Sequence, residues 1–494
     1  MILNELCRHS GIDFPTGSPE VGDLVVDRIV CDSRAVEPGD LFVALRGQHL
    51  NGVVFAEDAL ARGAVAVVAE DIPQAGFNAV WIQVDDARVA MAVLAATFHA
   101  DPSRDLLVIG TTGTNGKTTT TYLLEGILEE GGISCGRISS VSYRVGNCET
   151  VAERTTPESP QLQRLMREMV TEGCRACVME VSSHALELHR VDAIRFDAAL
   201  FTNLTRDHLD VHGDMSRYFA AKSQLFHMLA DTAPAIINVD DDYGRQLATT
   251  VARPVTYAMD GVADITPERI DLSLDGIELD VRTPRGPLHL RSPLLGRNNA
   301  YNVLASAATG AALALPFRTI ERGIGAVDRV PGRMEVVSTA SDDVNVIVDF
   351  AHTDDALKGL LETARQFAKG QLIAVFGCGG DRDTTKRPLM GAVASRLSDR
   401  VILTSDNPRS EDPQSIIKDI ERGLVEDDTP WEVELDREQA IVGAIGSARS
   451  GDLVVVAGKG HERHQVIGTS TLPFEDVAVA RDALIRRRSH SRVG

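Results

Sequence analysis

Short apolar runs, each ended by glycine or a polar turn, alternate along this chain with stretches whose apolar residues recur at helical spacing. That alternation predicts an α/β fold built on parallel sheets. Up to about residue 100, β-rich runs at 24–26, 41–45 and 64–68 surround an amphipathic helix at 55–61, which describes a small α/β domain. His99-Ala100-Asp101-Pro102-Ser103-Arg104 has the composition of a linker, and beyond it strands and helices alternate as in a doubly wound sheet. Proline and glycine in Val330-Pro331-Gly332-Arg333 interrupt the pattern again before a strand at 344–348. The expectation is three domains, 1–100, 101–331 and 332–494.

In the last of these, apolar strands at 372–376, 401–404 and 453–457 run directly into Gly377-Cys378-Gly379-Gly380-Asp381-Arg382, Ser405-Asp406-Asn407-Pro408-Arg409 and Gly458-Lys459-Gly460-His461-Glu462. Ligands of parallel α/β sheets bind outside the carboxyl ends of the strands, so the three loops are expected to line one crevice. Arg382 and Arg409 are forked cations suited to clamping a carboxylate or phosphate. Simple surface solvation is their plain alternative.

The chain's most specific segment is Val108-Ile109-Gly110-Thr111-Thr112-Gly113-Thr114-Asn115-Gly116-Lys117-Thr118-Thr119-Thr120, an apolar strand that breaks into a glycine turn and opens a helix. Glycines let backbone N–H groups close on phosphate oxygens, and the helix N-terminus adds its dipole. Lys117 can reach β- and γ-phosphates, and Thr118 can ligate Mg²⁺. ATP is the implied ligand, bound by Gly113, Thr114, Asn115, Gly116, Lys117, Thr118 and Thr119. The common spacing G-x-x-x-x-G-K-[ST] would put glycine at Thr111, so the run is written Gly113-x-x-Gly116-Lys117-Thr118.

Composition narrows the partners. The 494 residues carry a formal net charge of −21, which argues against broad binding to nucleic acid or to an anionic membrane. Anionic substrates must therefore meet local clusters of Arg and Lys. The start of the chain lacks a cationic, apolar leader, and no segment approaches the length of an apolar span, so a cytoplasmic protein without membrane insertion is expected. Seven scattered cysteines suit reduced thiols, with Cys174 and Cys177 packed in a core. Arg486-Arg487-Arg488 reads as a frayed basic tail.

Two further segments supply candidate metal chemistry. Glu180 follows an apolar strand, where a carboxylate can serve Mg²⁺. A loop after another strand gathers Asn203, Asp207, His208 and Asp210. Lys222, in Tyr218-Phe219-Ala220-Ala221-Lys222, reads on its own as a helix-surface lysine.

Together these segments closely resemble the Mur ligases of peptidoglycan synthesis, from Asp32-Ser33-Arg34 and Pro38-Gly39-Asp40-Leu41-Phe42-Val43-Ala44 to Gly458-Lys459-Gly460-His461-Glu462. The diamino-acid-adding branch fits best. The resemblance implies a uridine-nucleotide domain, a central ATPase with the phosphate loop in a doubly wound sheet, and a Rossmann-like domain that brings the amino acid. Ser33 and Arg34 would contact the uridine nucleotide, and Thr155, Thr156, Ser182 and Arg190 the muramoyl dipeptide. Thr118, Glu180 and His208 would serve Mg²⁺. A CO₂-derived carbamate would fall on Lys222, which reverses the plain reading of that lysine. Asn302, Arg333 and Asp349 match contacts to adenine, phosphate and ribose. Arg382, Asp406, Asn407, Arg409, Gly458 and Glu462 match a diamino-acid pocket.

The implied reaction uses ATP to phosphorylate the D-glutamyl γ-carboxylate of UDP-N-acetylmuramoyl-L-Ala-D-Glu, after which the amine of meso-diaminopimelate displaces phosphate; a monomer is expected. Catalysis would fall to Lys117, Lys222, His208 and Arg333, acting by positioning and charge neutralisation. L-lysine as the amino acid, a folylpolyglutamate synthetase and a non-catalytic nucleotide switch are the rival readings. Two stretches depart from the family pattern. Asp349-Phe350-Ala351-His352-Thr353-Asp354-Asp355 replaces Asp-Tyr-Ala-His-Thr-Pro-Asp, and Asn298-Asn299-Ala300-Tyr301-Asn302 replaces Phe-Asn-Val-x-Asn.

Overall fold

The computed structural model describes residues 1–14, 23–47, 50–73, 77, 79–273, 275–424 and 429–491, with side chains to 489. It comprises two compact units between which the chain passes repeatedly. One holds Met1–Thr112, Gly132–Ala199 and Ala221–Ala235; the other holds Gly113–Gly131, Leu200–Ala220 and Ile236–Gly494.

The first unit begins with a four-stranded parallel sheet in sequential order, Arg28–Val30, Asp40–Val43, Ala66–Ala69 and Val80–Gln83. Alternate residues go to opposite faces. Leu41, Val43, Ala66 and Val68 pack with residues of the helices Leu3–His9 and Ala87–Phe98, while Phe42, Val67 and Ala69 pack with Ala56 and Ala59. The run expected at 24–26 forms only a bridge between Val25 and Ile2, flanked by backbone bonds from Leu3 to Leu24 and from Val26 to Met1. The helix expected at 55–61 starts at Ala56, after a 3₁₀ turn at Gly52–Phe55. Further on, Leu107–Thr112, Ala176–Glu180 and Cys135–Ile138 are parallel neighbours, continued antiparallel by Ser142–Val145 and Cys148–Val151. Cys174 and Cys177 are buried, and all seven cysteines are free thiols.

In the second unit the helices Lys117–Glu130, Arg297–Ala312 and Phe317–Gly325 accompany an antiparallel sheet of Thr266–Ser273, Gly276–Thr283 and Gly286–Ser292. Its largest sheet runs Glu335–Val336, Asn345–Asp349, Leu453–Ala457, Leu372–Phe376, Arg400–Leu403, Trp431–Val433; only the first pairing is antiparallel. Both faces are covered, as such strands require. Leu372, Ala374, Phe376, Leu453 and Val455 pack with Leu360, Met390 and Ile417 on one face, and Ile373, Val375, Val454 and Val456 with Ile441, Ala444 and Ala480 on the other.

The C-terminal basic run is not a frayed tail. It continues the helix Asp476–Ser491, in which Arg487 pairs with Asp343 at 2.7 Å and donates to the carbonyls of Ile445 and Ala448. Those carbonyls end the helix Arg437–Ser447, where the last turn lacks internal donors, so a cation is retained there. Among the described residues no helix is long and apolar enough to cross a membrane.

Beneath the strand ends, Arg437 and Asp476 are both 0% exposed and form a bidentate pair at 2.7 Å. Arg437 also donates to Ala457 O at 3.0 Å and Ser405 O at 3.4 Å, the points where two strands enter their loops. Removing one partner would leave an uncompensated buried charge. Arg437→Met is expected to cost about 3–5 kcal/mol of stability in urea titrations, and Arg437→Met with Asp476→Leu to recover most of it. Equal losses in the single and double variants would refute the pairing as the cause.

Candidate functional site

The glycine turn is set by two positions at which a side chain cannot fit. Gly113 and Gly116 have φ of +145° and +90°, and an added Cβ would collide with Thr202 Oγ1 at the first and Asn302 Oδ1 at the second. Thr111, where the common spacing would require glycine, lies in the extended strand Leu107–Thr112 and is paired with Glu180. The departure from the pattern therefore costs nothing sterically. Asn203 holds the turn: its carbonyl accepts from Thr114 N and its Oδ1 from Asn115 N, both at 2.9 Å, while its Nδ2 donates to Asn115 O at 3.1 Å. Thr114 Oγ1 lies 3.3 Å from Tyr218 OH and donates to Thr205 O at 3.1 Å.

Lys117 opens the helix Lys117–Glu130, its ammonium folded back on Gly113 O and Thr114 O, both at 2.9 Å. Thr118 and Thr119 are buried, and Thr118 Oγ1 accepts from Arg333 at 3.0 Å. The Arg333 guanidinium stands 4.6 Å from the Phe350 ring centroid, and that ring also meets His352 and His461. Asp349 accepts from Met334 N and Ala351 N, each at 2.7 Å; burial raises the pKa of its carboxyl above the ordinary carboxylate value. Asn302 donates to Asn299 at 3.1 Å.

The two departures have local accounts. Asp354 occupies the first position of the helix Asp354–Phe367 behind the Thr353 cap, where a carboxylate favours the helix dipole as proline favours the backbone angle. Asp355 accepts from Asn115 at 3.2 Å, tying that helix to the glycine turn. Asn298, at the place of the family's apolar anchor, is exposed, while Asn299 and Ala300 are buried.

His208 adopts a left-handed conformation, φ 54°, with Nε2 3.3 Å from Asp207. Asp207 is buried. Burial alone would raise its pKa, but His352, His208 and Lys386 together hold it far below the carboxylate range.

In the first unit, Glu180 is 1% exposed and its Oε1 accepts from Ser140 N at 2.8 Å. Thr156 Oγ1 donates to Glu180 O at 2.9 Å and accepts from Ser182 N at 3.1 Å. Thr155, beside Thr156, is half-buried, and Arg190 donates to Thr156 O at 3.0 Å. Ser182 caps the helix Ser183–Glu187. Ser33 is buried in a 3₁₀ turn capped by Asp32, which pairs with the exposed Arg34 at 2.7 Å. Lys222, read in isolation as a surface residue, is 2% exposed within the helix Met215–His227.

The three strand-end loops of the second unit do meet. Asn407 Nδ2 donates to Glu462 Oε2 at 2.8 Å, and Lys459 Nζ contacts that same oxygen at 2.7 Å and Asn407 Oδ1 at 3.1 Å. Gly458 has φ +114°, and a Cβ there would lie 2.6 Å from Asp406 Oδ2. Arg409 donates to Gly380 O at 2.7 Å and Arg382 to Asp381 O at 3.0 Å. Burial and the neighbouring Arg382 charge lower the Arg409 pKa against the opposing charges of Asp406, Glu462 and Asp381, and neither arginine forms a direct ion pair among the described residues. Two residues of this site escape a reading of motifs, Lys459 as a fully buried ammonium and Phe350 as the platform under Arg333, while Asn203, a candidate only by its loop, clamps the turn. For Lys459 the signal available was its place between two glycines in a strand-end loop.

Comparison with known proteins matches the chain to three families described as the Mur ligase family catalytic domain over residues 25–99, the Mur ligase middle domain over 111–310, and the Mur ligase glutamate ligase domain over 332–460. A UDP-N-acetylmuramoyl-L-alanyl-D-glutamate–2,6-diaminopimelate ligase from Solibacter usitatus is 46% identical over 487 residues, 98% of each chain. One of the same name from Gloeobacter violaceus is 44% identical over 99% of each. A solved structure bearing that ligase name aligns with a TM-score of 0.68 at 32% identity, covering 99% of both chains. With a glycine turn, a buried carboxylate and strand-end loops of this arrangement, and with such relatives along its whole length, this chain belongs to the Mur ligase family.

Proposed function

We propose that this protein is an ATP-dependent amide ligase that adds meso-diaminopimelate to the D-glutamyl γ-carboxylate of UDP-N-acetylmuramoyl-L-Ala-D-Glu, in the cytoplasm and as a monomer. The observation that carries the choice of amino acid is the pair Arg382 and Arg409. They are like charges near one another on adjoining loops, each bonded to a carbonyl, with Arg409 half-buried. A carboxylate at the far end of the amino acid relieves that repulsion; the ammonium of lysine adds to it. Asn407, Glu462, Asp406 and the close-packed Gly458 complete the pocket, and Glu462, joined by Lys459 and Asn407 through one oxygen, is suited to an ammonium.

The γ-carboxylate attacks the terminal phosphorus of ATP, giving an acyl phosphate and ADP. The amine then attacks the acyl carbon, losing a proton, and phosphate leaves. In this reading Lys117 transfers its hydrogen bonds from Gly113 O and Thr114 O to phosphate oxygens, and Arg333 spans from Thr118 to the transferring group. Gly113, Thr114, Asn115, Gly116 and Thr119 shape the turn, and Asn302 and Asp349 take the adenosine. Ser33 and Arg34 hold the uridine nucleotide, and Thr155, Thr156, Ser182 and Arg190 the dipeptide. Three domains, 1–100, 101–331 and 332–494, divide these tasks.

The residues fit magnesium in their chemistry: Thr118 and Glu180 offer hard oxygen donors. Thr118, Glu180, His208 and Lys222 as a carbamate would hold it, and when bound it neutralises phosphate charge. The burial of Lys222 supports a role beyond solvation.

Three outcomes test this reading. Lys117→Ala should lower kcat by about 10³-fold in phosphate-release assays while melting like the parent protein; turnover near the parent's would refute the ATPase assignment. Lys222→Ala should lose activity and regain part of it with short carboxylic acids, and normal activity in both that variant and CO₂-depleted enzyme would remove the carbamate. Arg409→Ala should reduce kcat/KM for meso-diaminopimelate by ~30-fold or more, the equivalent of about 2 kcal/mol, without a parallel fall for L-lysine. Equal use of lysine by the unaltered enzyme would overturn the specificity and leave the ligase reading standing.

A further inference from the structure

In the first unit one carboxylate, Glu158, faces three guanidinium groups. Arg154 NH1 is 2.6 Å and Arg190 NH2 2.8 Å from Oε1, and Arg88 NH1 is 3.8 Å from Oε2. Three cations against one anion leave an excess of positive charge in a protein of net charge −21. Arg154 is exposed, but Arg88, Arg190 and Glu158 are largely withdrawn from solvent, where charge pairs are screened less than at the surface. The Arg190 side chain is 10% exposed, and Arg190 Nε, Arg88 NH1 and Glu158 Oε2 are shielded from water without a hydrogen-bond partner, Arg88 NH1 facing that oxygen only across 3.8 Å. Buried donors left unpaired are costly, and a bidentate oxyanion is the acceptor that matches them.

The neighbours of this cluster indicate whose oxyanion it is. Arg190 donates to Thr156 O, and Thr156 bonds to Ser182, which joins the cluster to the residues proposed for the dipeptide. Cys31, next in sequence to the Asp32-Ser33-Arg34 turn, lies within electrostatic reach of the cluster. Burial raises the Cys31 thiol to about 11, with the charges of Glu158, Arg88 and Arg154 acting on it. The cluster is thus bordered by both proposed ends of one ligand.

We infer that Arg88 and Arg154, with Arg190, form an anion subsite that takes an oxyanion of the nucleotide-sugar peptide, Glu158 holding the three guanidinium groups in place before the ligand arrives. Arg88 and Arg154 are the new assignments, and they rest on the substrate proposed above. The oxyanion belongs either to the diphosphate or to a carboxylate of the dipeptide.

Calorimetric titration of the full-length protein with UDP-N-acetylmuramoyl-L-Ala-D-Glu, with UDP and with ATP separates the possibilities. Arg88→Met and Arg154→Met should each raise Kd for the nucleotide-sugar peptide by ~10-fold or more and leave Kd for ATP unchanged. Arg88→Lys should recover part of the loss. A parallel weakening of UDP assigns the diphosphate; unchanged UDP binding assigns a carboxylate. Kd within twofold of the parent's in both methionine variants would overturn the subsite. Should Arg88→Met fail to fold, Arg88→Lys and the exposed Arg154→Met decide the matter by the same measure. A parent protein that binds ATP but not the nucleotide-sugar peptide would instead refute the proposed substrate, and the subsite with it.

Discussion

A methyl group at Gly113 would run into Thr202, and one at Gly116 into Asn302. Glycine at those two positions, with φ of +145° and +90°, lets the chain between Thr112 and Lys117 take a tightly turned path, on which the N–H groups of Thr114 and Asn115 are secured by Asn203. From that path follow the direction of the helix Lys117–Glu130, the return of Lys117 onto the loop, and the placing of Thr118 against Arg333. Arg333 is in turn braced by Phe350, and Asp355 reaches Asn115 from the helix behind it. The glycine turn, Lys117, Thr118, Arg333, Phe350 and Asp355 thus form one connected set of contacts in the second unit.

Much of this was legible because parallel α/β sheets place chemistry at strand ends, so a strand followed by glycine and polar residues announces itself. The loops carrying Arg382, Asp406 and Glu462 were found that way, and they do converge. What remained hidden depends on contacts between segments distant in sequence. The burial of Lys222 is decided by what packs against its helix, not by the spacing within it. Arg487 looked like part of a loose tail until the carbonyls at the end of another helix supplied its partners. Asn203 could be noticed as a loop residue, but its hold arises only when that loop meets Thr114 and Asn115 of the glycine turn.

Charge is distributed with the same economy. The chain is acidic as a whole, yet cations are concentrated where acceptors are scarce: Arg437 under two strand ends, Arg409 beside Arg382, and three arginines around Glu158. Only the first is fully matched, by Asp476, and it supports the fold. Around Arg409 the charges of Asp406, Glu462 and Asp381 oppose that of Arg382 without a direct ion pair, and around Glu158 three guanidinium groups share one carboxylate.

The backbones at Gly332 and Gly460 pass so closely that a Cβ on the first would overlap His461 N, and one on the second would lie 2.7 Å from Phe350 Cβ. Phe350 is therefore gripped from both sides, by the segment that carries Arg333 and by the segment that carries Lys459 and Glu462. A side chain at either glycine would part the segment that carries Arg333 from the segment that carries Lys459 and Glu462, and would unseat the ring on which the Arg333 guanidinium rests.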